Sequence, residues 1–262
     1  MKIQIQHTTR YRYDEAVKRS LQYLRLTPQT LAHQRVLSWQ LTLPHISPEI
    51  YDGFGNYCTI LNCNVPHTHL SINAQGWVEI DDSSDYNTDQ RIAPQVFLNT
   101  TWRTRSTEVL VDFAEIQTGG LRNRQALQSL SRAILDHMPY IPGTTGVETT
   151  AKQAFAIGSG VCQDHTHVFL ACARGIGVPA RYVSGYLVSD DSTHLASHAW
   201  AEAWLDGQWY VFDTTNQLFT PSSHVQLAVG LDYNDAAPVR GVRQGGGGEC
   251  MEYLVQVTAV QQ

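Results

Sequence analysis

Residues 197–215 read SHAWAEAWLDGQWYVFDTT, and residues 158–165 read GSGVCQDH. The first stretch is two short runs around Asp206-Gly207, a dipeptide favoured in two-residue hairpin turns. If Leu205 pairs with Gln208, then Trp204 opposes Trp209, Trp200 opposes Asp213 and His198 opposes Thr215. Opposed residues share a sheet face, so His198 and Asp213 become diagonal neighbours on one side. Diagonal Cβ atoms lie up to about 7–8 Å apart, within reach of an imidazole and a carboxylate. Asp213 can then hold one ring nitrogen while the other faces a nucleophile. Alone, a strand histidine is usually structural and a strand-end aspartate usually caps a turn. The register that joins them is what singles them out.

The second stretch sets Cys162 between a glycine-rich turn and the start of a helix. Unpaired N–H groups and the positive end of the helix dipole favour a thiolate there, and the same N–H groups can hold an oxyanion. Cys172, further along the helix, reads as a small buried hydrophobe. Asp164 is expected to accept hydrogen bonds within the first helical turn. His165 shares the face of Cys162, so it either lines the cleft or packs as a hydrogen-bonded core histidine. Tyr140 and Gln163 are candidate oxyanion donors, against the simpler account of Tyr140 as an ordinary half-buried tyrosine.

Periodicity sorts the rest of the chain. In residues 121–138 the apolar positions Leu127, Leu130, Ile134 and Met138 recur at three and four, a helix stripe closed by Pro139. Another helix is expected from a cap at Thr149 or Thr150. A third runs from Cys162 to Arg174, stopped by Gly175, Gly177 and Pro179. ARYVSGYLV, SHAWAEAWL, QWYVFDTT and the closing MEYLVQVTAV read as strands, which makes this part α+β with helices on an antiparallel sheet. The N-terminal part carries strands alone. Ile3, Ile5, Thr9, Tyr11 and Tyr13 alternate with charged or amide residues, as do the apolar positions of VLSWQLTL. YCTILNCNV and LSINAQGWVEI follow the turn cluster YDGFGN. These patterns predict a β-sandwich-like domain over residues 1–108 and an α+β domain over 109–262, with the boundary between residues 103 and 115.

With 262 residues and 42% hydrophobic content the chain can bury two cores. A net charge of −6 with scattered arginines gives no footprint for nucleic acid, and no apolar run is long enough to span a membrane. The N-terminus lacks the apolar stretch of a signal peptide, and five cysteines form no disulfide framework. Both point to the cytoplasm. Cys162, His165, His167, His194 and His198 could be read as a zinc set. However, His165 and His167 face different ways on a helix and no paired metal motif accompanies them, so no metal is expected. DDSSDYNTD has the flavour of a calcium loop but carries Tyr86 where glycine is required and Ile92 where the bidentate glutamate belongs. The GGGG run at 245–248 has no following Lys-Ser/Thr and reads as a flexible turn on the cleft rim rather than a phosphate loop.

The motifs GVCQD, HAWAEAWL and FDTT, in the order Cys, His, Asp, resemble the transglutaminase core of the papain-like superfamily. LDYNDAAPVRGVRQGGGGE resembles the segment after that core in bacterial transglutaminase-like proteins. YRYDEAV, LRLTP and YDGFGN are similar to their N-terminal region. The resemblance spans nearly the whole chain. It implies a β-rich N-terminal domain followed by a papain-like thiol domain, with Cys162 as nucleophile, His198 as base and Asp213 as the acid that orients it. Bacterial members are described as cysteine proteases, without implied crosslinking. The expectation is thiol-dependent hydrolysis of a peptide or amide substrate without a cofactor. Transfer to an amine and a catalytically silent peptide-binding module are the alternatives.

Overall fold

The structure is a computed structural model that describes residues 1–81, 87, 89, 91–188 and 197–260. Its first sheet is organised by one long strand, β1 (Lys2–Leu24). Along it Ile3, Ile5, His7, Thr9, Tyr11 and Tyr13 are buried and the intervening side chains are not, the alternation of a half-buried strand. The first half of β1 pairs with β5 (His67–Ile80) on one side and β11 (Glu249–Val260) on the other. An irregular step near Val17 re-aims the strand. The second half then pairs with β4 (Tyr57–Cys63) and β10 (Val239–Gly245). β2 (Gln34–Thr42) lies outside β5, and β3 (Glu49–Tyr51) outside β4.

Between β5 and β10 the chain builds the rest. Four helices come first: α1 (Glu108–Thr118), α2 (Arg124–His137), α3 (Ala151–Ile157) and α4 (Cys162–Gly175). An antiparallel sheet follows in the order β8 (Gln208–Phe212), β7 (Ser197–Leu205), β6 (Ala180–Leu187), β9 (His224–Gly230). α5 (Tyr233–Ala236) leads back to β10. Among the described residues no helix is long and apolar enough to cross a membrane.

The layering follows from which face each strand buries. On β7 the small residues Ala199, Ala201 and Ala203 let α4 pack closely, in a core with Val168, Phe169 and Cys172. A second core joins Ile3, Ile5, Leu70 and Ile72 of the first sheet to Tyr186, Val225 and Leu227 of the second. The helices therefore cover one face of the second sheet and the first sheet covers the other. The outer edge of β9 is closed by two amide side chains. Gln34 exchanges hydrogen bonds with the backbone of Gln226, and Asn56 does the same with Val229.

The α+β architecture, the Thr150 cap with its reciprocal Gln153 bond, and the helix opening at Cys162 agree with the sequence pattern. A division at residue 108 does not describe the sheets, however. The closing strand MEYLVQVTAV and the strand before it, β10, leave the second sheet and add one after the other along β1, so residues 239–260 belong to the N-terminal sheet. Hydrophobic alternation specifies a strand and its buried face, not which distant strand it joins. The sandwich likewise takes its second layer from the β6–β9 sheet. Helix α1, strand β9 and strand β10 carry no expectation from the sequence pattern. The glycines at 245–247 have positive φ and pack against the irregular part of β1, where Asp14 and Glu15 donate to Gly248 and Gly246. The acidic segment weighed as a calcium loop falls mostly outside the described residues, as does His194 of the zinc set.

Candidate active site

The Asp206-Gly207 turn has both residues at positive φ, and the ladder behind it runs Leu205 with Gln208, Trp204 with Trp209, and on to Ala201 with Phe212. This register carries Asp213 to the side of the sheet occupied by His198. The His198 Nε2–H donates to Asp213 Oδ2 at 2.9 Å, with both residues buried. The same imidazole hydrogen-bonds the side chain of Cys162, which is half-buried at the first turn of α4. Cys162, His198 and Asp213 thus form a continuous chain of contacts.

Burial alone pushes the His198 imidazole down. The charge and hydrogen bond of Asp213, with the Cys162 side chain, outweigh it and raise the group to about 10. For Asp213 burial pushes the carboxyl up, but the two histidines bonded to it hold it far below the usual carboxylate range. At neutral pH the pair is therefore imidazolium and carboxylate.

Asp164 anchors the nucleophile's helix. Its Oδ2 accepts from the Val161 N–H at 2.9 Å and from the Thr145 hydroxyl at 2.6 Å. Gly160 is required beside it, because a Cβ there would lie 2.7 Å from Asp164 Cβ. His165 does not line the cleft. It is fully buried, its Nε2–H donating to the Met138 carbonyl at 2.7 Å and its Nδ1 accepting from the Thr215 hydroxyl at 2.9 Å. Burial lowers its proton affinity, as both bonds require of a neutral ring. It ties α4 to the end of α2 and to the turn after Asp213, which fixes the spacing of nucleophile and acid. Gln163 donates its side-chain amide to the Val147 carbonyl at 3.2 Å, which occupies the group offered as an oxyanion donor. Tyr140 is half-buried, bridges in parallel to Gly160, and lies close enough to Cys162 for the sulfur's charge to raise its hydroxyl, after burial as the larger cause. Cys172 is buried, and burial raises its thiol far above the ordinary range.

Two residues at the centre went unread in the sequence. Asn216 donates from Nδ2 to Asp213 Oδ2 at 2.9 Å and from its backbone to Oδ1 at 3.2 Å. His224, at the start of β9, donates from Nε2 to the same Oδ2 at 3.1 Å. Asn216 follows Asp213 by one turn, a signal of local closure. His224 becomes visible only if HVQLAVG is read as a buried strand beside β6. His198, Asp213 and His224 place ligand-type atoms within 4.8 Å of one another, the candidate metal cluster among the described residues. Their N···O separations are those of N–H···O hydrogen bonds. Of the described members of the zinc set weighed from the sequence, Cys162 and His198 meet, whereas His165 and His167 are engaged elsewhere. His165 and His167 turn to opposite sides of α4, the second accepting from the Tyr233 N–H.

Residues 3–79 match the family described as the bacterial transglutaminase-like N-terminal region, and residues 113–214 match the transglutaminase-like superfamily core. An uncharacterized protein of Mycobacterium leprae is 30% identical over 98% of both chains. One from Mycobacterium tuberculosis is 28% identical over 91% of this chain and 86% of its own. A solved structure titled "Putative Cysteine Protease" from Cytophaga hutchinsonii superposes over 100% of this chain and 91% of that one. It has a TM-score of 0.82 at 22% identity, which shows a shared fold. With both halves matched in order and a relative aligned end to end, the chain belongs to the transglutaminase-like superfamily, as a member carrying the bacterial transglutaminase-like N-terminal region.

Proposed function

We propose that the chain is a cysteine hydrolase acting on a peptide or amide bond. The observation that carries this reading is the contact chain from Cys162 through His198 to Asp213. An imidazolium beside the sulfur favours the thiolate, which attacks the amide carbonyl and forms a C–S bond. The N–H groups at the start of α4, with Tyr140 as a further candidate, face the oxyanion that develops. The C–N bond then breaks and the leaving amine takes the proton from His198. Neutral His198 next draws a proton from water, the hydroxide attacks the thioester, and the acid departs with the thiolate restored. Asp213 stays ionised and keeps the ring oriented throughout. All five cysteines are free, which suits the reducing cytoplasm as the compartment we assign.

The test is a screen of activated esters, peptides and γ-linked amides, comparing wild type with Cys162→Ala, with millimolar primary amine present. Free acid as the main product, lost in the variant, is the expected outcome. A predominant amine adduct lost in Cys162→Ala would replace hydrolysis by transamidation. Equal, negligible turnover in both proteins across the screen would favour a binding module.

A further inference from the structure

His198 is one of two imidazoles on the Asp213 carboxylate. Oδ2 receives His198 Nε2 at 2.9 Å, His224 Nε2 at 3.1 Å and Asn216 Nδ2 at 2.9 Å, whereas Oδ1 receives one backbone N–H at 3.2 Å. Because a carboxylate oxygen only accepts, His224 must carry its proton on Nε2. Its Nδ1 is then a bare acceptor, buried and without a protein partner. Leaving a polar atom so placed is costly, and an aromatic hydrocarbon would fill the same space without it. Nor is the ring loosely held. Trp200 packs against it at 4.7 Å between centroids, and the same indole stacks on His198 at 6.2 Å and 22°. One tryptophan therefore braces both imidazoles, whose centroids are 6.3 Å apart, and aims both at one oxygen.

We propose that His224 is a positioning residue of this site, a second imidazole that shares the Asp213 oxygen with His198 and so sets how firmly His198 holds its proton. The proposal rests on His198 being the acid–base group assigned above. Negative charge divided among several donors pulls less on each of them. Without the competitor Asp213 would grip the imidazolium harder, and His198 would be a poorer acid toward a leaving amine. Among the described residues, Cys162 and His165 from α4, and His33 between β1 and β2, are titratable groups within electrostatic reach of the trio.

The test compares His224→Phe and His224→Gln in the full chain by NMR titration of the His198 ring and by the pH dependence of Cys162 alkylation with iodoacetamide. Neither readout needs a substrate, so failure of the hydrolase reading in the screen above leaves this test standing. His224→Phe should move the His198 midpoint upward by about one pH unit, the scale of one charge-assisted hydrogen bond. His224→Gln can return an amide N–H to the place of Nε2 and should restore the wild-type midpoint. A purely structural histidine would lower stability in both variants and leave the midpoint unmoved. The proposal is overturned if folded His224→Phe titrates like wild type, or if His224→Gln titrates like His224→Phe. His224→Met, which fills the space with a flexible apolar chain, carries the same expectation and decides the matter if the Phe variant does not fold.

Discussion

Replacing Asp213 with Asn removes the charge that opposes the burial of His198. In the folded protein that histidine rises from 6.5 to about 10. At about 1.36 kcal/mol per pH unit, the native state therefore favours the imidazolium by roughly 5 kcal/mol over the unfolded chain. The folded value is the higher one, so this stabilisation is complete below pH ~6.5 and is lost as pH climbs toward ~10, by roughly 1.4 kcal/mol per unit. The depressed Asp213 carboxyl is the same interaction seen from its partner and adds nothing in that window, since its share is lost only on strong acidification. In Asp213→Asn burial is opposed by the Cys162 side chain alone, so His198 titrates below its wild-type value and contributes a smaller alkaline loss. Tyrosines away from the site are common to both proteins and cancel in the comparison. Urea unfolding of both proteins at pH 6.5, 7.5 and 8.5 should show wild type more stable throughout, with its advantage shrinking by ~2–3 kcal/mol across the series. Parallel stability curves for two folded proteins would refute the ion pair and with it the protonation state assigned to His198.

Iodoacetamide at pH 6.5 should alkylate Cys162 well before the exposed Cys250, as resolved by peptide mass spectrometry; equal rates would argue against an activated sulfur. Gly160→Ala forces a Cβ to within 2.8 Å of Asp164 Oδ2. Losing that cap should cost about 1–2 kcal/mol in urea unfolding and slow Cys162 alkylation, so an unchanged midpoint and rate would count against its role. His7 is held down to about 4 by burial. The unfolded chain therefore binds its proton first on acidification, and this histidine's share of the stability falls by roughly 1.4 kcal/mol per unit from pH ~6.5 to ~4, on top of the buried His33, His165 and His167. His7→Gln should remove that slope, and a slope identical to wild type would exclude the assignment. A fragment of residues 109–262 should not fold alone, because β10 and β11 lose the strand they pair with; a cooperative melt of this fragment would contradict the pairing.

The local decisions were readable because each rests on neighbours in sequence. Asp206-Gly207 specifies a turn, the turn specifies a register, and the register specifies that His198 meets Asp213. The Thr149-Thr150 pair likewise announces a helix start, and the structure puts the cap at Thr150. What escaped depends on distant partners. Nothing in HVQLAVG says that it will lie beside β6, so His224 could not be placed against Asp213. MEYLVQVTAV has the pattern of a half-buried strand wherever it docks, and only the structure shows it on β1. His165 shows the limit of facial reasoning: it does share the Cys162 side of the helix, but bonds to Met138 and Thr215 draw it inward instead of toward solvent.

Strand β1 is flanked along one side by segments that lie more than two hundred residues downstream, from Lys2 against Val260 to Leu24 against Val239. On a ribosome that side would face water while the thiol-bearing half was being made, its N–H and C=O groups unpaired and available to any passing strand. Closing so long a loop is slow compared with forming the Asp206-Gly207 hairpin or the α1–α4 helices. The order of assembly that follows puts the helices and their sheet first and the arrival of β10 and β11 last. A chain arrested before residue 239 would therefore already hold Cys162, His198 and Asp213, yet lie open to aggregation along β1.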